Sequence, residues 1–136
     1  MDIAVLGAGS LGSAIGATFA LAGNDVTLIG RSKHVETINK SGLTLVTPHG
    51  EKIVKLTARQ TAKGLDPAEL VLVLCKSFDT YECIEANRDV IGKDTIVLSL
   101  QNGLGNEDLL CDLLGAERVI AGKTYIGGML LSPGRV

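Results

Sequence analysis

The chain has 136 residues, enough for one domain with a real core and too few for two of ordinary size. Nearly half of it (46%) is hydrophobic with two Phe, two Tyr and no Trp, so the core is aliphatic, as in a parallel sheet buried on both faces. The net charge of −2, with Lys and Arg scattered, excludes a nucleic-acid-binding stripe, and no apolar run nears the ~20 residues of a membrane span.

Asp2–Leu6 is a short apolar run ended by Gly, which predicts a buried strand. It starts without a basic leader, so a cytoplasmic chain is expected. Ser10–Ala22 is rich in Ala and Leu and stopped by Gly23, a helix with a glycine terminus. A second strand is predicted at Asp25–Ile29 and a short helix at 33–40. Leu43–Thr47 and Lys52–Thr57 flank Pro48-His49-Gly50 as a hairpin or meander. Leu70–Cys75 is the most strand-like run, followed by a helix over Asp79–Val90 and a strand over Thr95–Leu100. A helix over Asn106–Leu114, a short strand at 118–122 and an extended piece from Thr124 to Leu130 complete the series. Strands alternating with helices predict an α/β fold, a Rossmann-type doubly wound, mostly parallel sheet filling 1–136. Ser132-Pro133-Gly134 is turn chemistry, and Arg135-Val136 reads as the start of another strand, as if the fold continued.

Gly7-Ala8-Gly9-Ser10-Leu11-Gly12 matches G-x-G-x-x-G. It follows a predicted strand and opens a predicted helix, the context that turns a weak pattern into a dinucleotide-binding fingerprint. Gly7 permits the tight turn, Gly9 lets backbone approach a pyrophosphate, and Gly12 lets helix and strand pack closely. The free amides of the helix's first turn then face the phosphates. At the end of the second strand, Leu28-Ile29-Gly30-Arg31-Ser32-Lys33 lacks the acid that binds a ribose 2′-hydroxyl in NAD sites. Arg31 stands there instead. A guanidinium can hold a 2′-phosphate through bidentate bonds, which points to NADP(H).

Two later strand ends carry polar residues where ligands of open α/β sheets lie. Lys76 follows Leu74-Cys75 and could neutralise phosphate, although a solvated surface lysine is the simpler alternative. Asn102 of Gln101-Asn102-Gly103 could meet ribose or nicotinamide, or be half of a plain turn. His34 and His49 read as surface residues of a helix and a turn. Cys75, Cys83 and Cys111 have no metal-ligand spacing and read as free thiols in a reducing compartment. Neither a hydrolytic motif nor a general acid can be placed.

These segments together resemble the ketopantoate reductase (2-dehydropantoate 2-reductase) family along essentially the whole chain. The resemblance is carried by Gly7–Gly12, Gly30-Arg31, Cys75-Lys76-Ser77 and Gln101-Asn102-Gly103-Leu104-Gly105, in that order. Gly122–Gly128 and Pro133–Val136 look like the family's passage out of its nucleotide domain. The resemblance implies NADPH-dependent reduction of ketopantoate, a small 2-oxo acid, to pantoate on the way to pantothenate and coenzyme A. It implies that Gly7, Ala8, Gly9, Ser10, Leu11 and Gly12 hold the pyrophosphate and Arg31 the 2′-phosphate. Lys76 would lie at the adenosine end, Asn102 would touch cofactor and substrate, and Gly128 would bring backbone to the cofactor. Lys123 departs from the small or apolar residue of the family pattern. The family's second, helical domain, which carries its catalytic Lys and Glu, has no counterpart in these residues. Residues after about 131 would begin the connection to it, no catalytic residue is assigned here, and this fragment alone would bind cofactor with little turnover. A homodimer through the surface left uncovered is also allowed. Two alternatives remain: a related NADP-dependent 2-oxo or 3-hydroxy acid dehydrogenase, and a non-catalytic NADP(H)-binding module.

Overall fold

The computed structural model describes residues 1–136. β1 (Asp2–Leu6) passes through the glycine-rich turn into α1 (Ser10–Leu21), which returns to β2 (Asp25–Ile29) and α2 (Ser32–Ser41). An antiparallel hairpin, β3 (Leu43–Thr47) and β4 (Gly50–Val54), precedes β5 (Thr57–Arg59) and β6 (Leu70–Val73). Then come α3 (Thr80–Ala86), β7 (Ile96–Ser99), α4 (Asn106–Leu114) and β8 (Val119–Ala121). Six strands form one sheet in the order β5-β2-β1-β6-β7-β8, every pairing parallel, with the hairpin as a separate two-stranded unit. The doubly wound reading is therefore correct.

Strand side chains alternate between faces, and the core divides accordingly. Ile3 and Val5 of β1 face Ile15, Val35 and Ile38 on the α1/α2 side, while Ala4 and Leu6 face Ile84 and Leu110 on the α3/α4 side. The strand order reverses between β1 and β6, where the chain crosses to the other side of β1, so the C-terminal ends of both open onto one crevice.

Several boundaries differ from those predicted. The Lys52–Thr57 run is split: β4 ends at Val54, and Thr57–Arg59 crosses to the main sheet beside β2. A three-residue strand carries too little pattern to be seen locally. It is held by Asn39 on α2, whose amide donates to Ala58 C=O (2.8 Å) and accepts from Ala58 N–H (3.1 Å). Asn39→Ala is expected to lower stability by about 1–2 kcal/mol, read by urea denaturation, because two bonds to one residue go together.

The helix expected over Asp79–Val90 is three pieces: a 3-10 turn at Ser77–Asp79, α3, and a 3-10 turn at Arg88–Val90. Buried Asn87 interrupts it, with Oδ1 accepting from Ala62 N–H and Nδ2 donating to Cys83 C=O, both 2.8 Å. β6 stops at Val73, two residues short of the prediction, and β8 is trimmed by a 3-10 turn at Ala116–Arg118. Thr124–Leu130 is extended backbone outside any sheet.

The last residues return to the hairpin. Thr44 N–H donates to Gly134 C=O (2.8 Å), Val136 N–H to Thr44 C=O (3.0 Å), and Val46 N–H to Val136 C=O (2.7 Å). Val136 is 6% exposed and joins the α1/α2-side core. Arg135 meets the Glu51 carboxylate of β4 through both terminal nitrogens. The strand-like reading of Arg135-Val136 is thus realised as one parallel bridge to β3.

Candidate functional site

The crevice is built from the glycine turn outward. Gly7 has φ 104°, and a Cβ on it would lie 2.4 Å from the Cys75 backbone nitrogen, so both its conformation and its contact demand glycine. At Gly12 a Cβ would stand 2.2 Å from the Gly7 carbonyl oxygen, which brings α1 down onto the turn. Gly9 is different. No atom lies within 4 Å of where its Cβ would be, so it faces open space.

Gly9 caps α1 without a side-chain bond, and the amides of Ser10, Leu11 and Gly12 have no acceptor within the protein. The first bonded amide is Ser13, to Gly9 C=O at 3.0 Å. Three free amides, a helix dipole and an open glycine face form a cradle for an anionic group. Gly128 roofs it: a Cβ there would sit 2.9 Å from Ser10 C=O, and Leu130 N–H donates to Ser10 Oγ at 3.1 Å.

Beside the cradle, β2 ends at Ile29 and Arg31 caps α2 with extended backbone. The Arg31 side chain is exposed and has neither hydrogen bond nor ion pair. On the other side, Cys75 underlies Gly7 and leads to exposed Lys76. Exposed Asn102 follows β7 on the next strand end, and a Cβ on Gly103 would come within 4.0 Å of Ser77 Oγ. The structure therefore gathers Gly7–Gly12, Arg31, Lys76, Asn102 and Gly128 along one edge of the sheet.

Gln101 joins two of these strand ends and was not singled out from the sequence. Its Nε2 donates to Thr80 Oγ1 (2.8 Å) and Cys75 C=O (3.1 Å), and its Oε1 accepts from Ser99 Oγ (3.2 Å). Position next to Asn102 in the motif was the only sequence signal for it. The neighbouring Cys75 and Cys83 thiols act on one another so that the Cys75 pKa is lowered and that of Cys83 raised, and burial raises Cys83 further. All three cysteines are free.

His34 corrects the surface reading. It is 5% exposed, with Nε2 2.8 Å from Ser13 Oγ and Nδ1 accepting from Gly134 N–H at 2.9 Å. An Nδ1 that accepts leaves the proton on Nε2, so the ring is neutral and donates to Ser13. Desolvation lowers its pKa in agreement with that. The residue is a buried strut between α1 and the chain's last turn. His49 is exposed, as read.

A family model described as "Ketopantoate reductase PanE/ApbA" matches residues 3–136. The 2-dehydropantoate 2-reductase of Pyrococcus horikoshii is 42% identical over 138 residues, which is 100% of this chain and 44% of that protein. That of Halobacterium salinarum is 36% identical, over 100% of this chain and 45% of its own length. Among solved structures, a PanE/ApbA family ketopantoate reductase from Ralstonia eutropha JMP134 superposes with TM-score 0.90 at 36% identity, covering 99% of this chain and 45% of that one. D-mandelate dehydrogenase with NADH and anilino(oxo)acetate superposes with TM-score 0.93 at 32% identity, covering 99% and 44%. The chain spans less than half the length of the curated relatives it matches.

Proposed function

The chain belongs to the ketopantoate reductase PanE/ApbA family, and from that premise we propose that it is the NADP(H)-binding half of a cytoplasmic oxidoreductase reducing ketopantoate to pantoate. When bound, the reduced nicotinamide supplies a hydride. The residues present do the holding. Gly7 to Gly12 take the pyrophosphate on the free amides of Ser10, Leu11 and Gly12, and Gly128 closes backbone over it. Arg31 takes the 2′-phosphate, Lys76 lies at the adenosine end, and Asn102 faces cofactor and substrate. A proton donor is missing from this set, so the catalytic groups belong to a further domain, reached through residues after about 131. On this reading the 136 residues bind cofactor with little or no turnover.

The observation that carries the reading is Arg31, a guanidinium without a protein partner at the end of β2, where an NAD site has an acid. The neighbouring D-mandelate dehydrogenase was solved with NADH, so a relative with the same nucleotide fold takes the cofactor lacking that phosphate. Calorimetric titration with NADPH and NADH decides between them. NADPH is expected to bind about 10–100-fold more tightly, as charge-assisted bonds contribute about 1.5–3 kcal/mol, and Arg31→Ala is expected to shrink the difference. Equal affinities in the unmutated chain would sink the assignment. Ketopantoate and other 2-oxo acids, assayed with the longer protein, separate this substrate from that of a related dehydrogenase.

A further inference from the structure

β5 runs parallel to β2 with Arg59 in register with Ile29, and Gly30 N–H donates to Arg59 C=O at 2.9 Å. Neighbouring strands lie roughly 4.8 Å apart, so Arg59 leaves the sheet beside the point where β2 hands over to Arg31. Both positions are set by α2. Arg31 caps it, and Asn39 on it grips Ala58, the residue before Arg59.

Arg59 is exposed and unpaired with any carboxylate. Its single bond runs from Nη2 to Lys63 C=O at 3.2 Å, which leaves most of its five donors free and turns the guanidinium toward the 60–63 loop. A cleft of about 380 Å³ opens there, lined by Val35, Arg59, Gln60, Thr61 and Lys63. At roughly 30 Å³ per water, that volume admits a phosphate without moving a side chain. Val35 is in the opening turn of α2, two residues after Lys33 and four after Arg31. Arg59 and Lys63 thus line the cleft, Arg31 and Lys33 stand at the start of the helix whose Val35 forms its other wall, and none of the four is in an ion pair; Glu36, one turn along α2, is the nearby acid in sequence. Unneutralised cations on adjoining rigid elements match a multiply charged anion, and two guanidinium forks match a phosphate.

We propose that Arg59 is a second specificity residue, bracketing the 2′-phosphate of NADP(H) from β5 while Arg31 holds it from β2, with Lys63 adding charge. This rests on the NADP(H) reading above. The preference is then shared between two strand ends, and the 27 residues between Arg31 and Arg59 hide the second from any local motif.

The protein is titrated at fixed salt with NADPH, NADH and adenosine 2′,5′-bisphosphate, unmutated and as Arg31→Ala, Arg59→Ala, Arg59→Lys and the double alanine variant. Arg59→Ala is expected to weaken NADPH and the bisphosphate about tenfold and leave NADH unchanged, which also reports that the variant is folded. Arg59→Lys should recover part of the loss, and the double variant should bind NADPH no better than NADH. An NADPH preference that Arg31→Ala abolishes and Arg59→Ala leaves intact overturns this inference alone. Equal losses of NADPH and NADH in Arg59→Ala overturn it too, since they mark a structural role. An unmutated protein that does not prefer NADPH takes down both this inference and the reading beneath it.

Discussion

Gly12→Ala is expected to destabilise the fold by about 3 kcal/mol, whereas Gly9→Ala, three residues earlier, leaves stability within about 1 kcal/mol and abolishes tight nucleotide binding. The added Cβ at residue 12 would meet the Gly7 carbonyl oxygen at 2.2 Å. That oxygen also accepts from Gly9 N–H at 2.7 Å, and Gly7 itself is wedged on Cys75, so the turn cannot yield. Overpacking of this kind falls at the upper end of 1–3 kcal/mol. At residue 9 a methyl meets nothing, and the only intrinsic penalty is alanine's poorer capping. The methyl would instead occupy the space where a pyrophosphate approaches the free amides, so NADPH affinity should fall at least tenfold. Urea denaturation and calorimetry on both variants separate the roles. Gly9→Ala binding NADPH normally would show that the turn is not the phosphate cradle.

The second large effect concerns His34. His34→Ala leaves the buried Ser13 hydroxyl and the Gly134 amide without partners and is expected to lower stability by about 3 kcal/mol, at about 1–3 kcal/mol for each orphaned group. A pH dependence accompanies it. Burial depresses the folded-state pKa of His34 below its ordinary value near 6.5, so the unfolded chain binds the extra proton first. Stability is therefore full above about pH 6.5 and falls as pH drops through that value, levelling once the folded-state ring also protonates. The protonated ring would turn Nδ1 from acceptor to donor and repel the Gly134 N–H. Denaturation midpoints measured from pH 7.5 to 5 should decline for the unmutated chain and lose that component in His34→Ala. Matching slopes would refute the assignment.

How far the sequence could be read depended on the range of the interaction. The glycine turn and the end of β2 were legible because strand, glycines and helix adjoin, and each element's role is fixed within about thirty residues. His34 was not. Ser32-Lys33-His34-Val35-Glu36 is polar enough to pass for a solvated helix face, and the partner that buries it, Gly134, is 100 residues away. β5 was hidden because three residues cannot show a period and Asn39 rather than local propensity holds them. The break in the Asp79–Val90 helix was hidden because Asn87 is satisfied by Ala62, across 25 residues. Gln101 lay inside a recognised motif, yet its bonds to Cys75 and Thr80 required the neighbouring strand end to be in place.

The contact between Leu130 and Ser10 spans 120 residues, and Gly128 completes the roof over a turn that begins at Gly7. A chain emerging from the ribosome holds its whole fingerprint after a dozen residues, but it holds the closed cradle only once Gly128 and Leu130 are made. Contacts of such sequence separation form late and slowly. Nucleotide affinity in this molecule is therefore a signature of finished folding, and a ligand that binds only the finished form shifts the folding equilibrium by mass action. Added nucleotide should raise the yield of native chain during refolding without speeding its first turns.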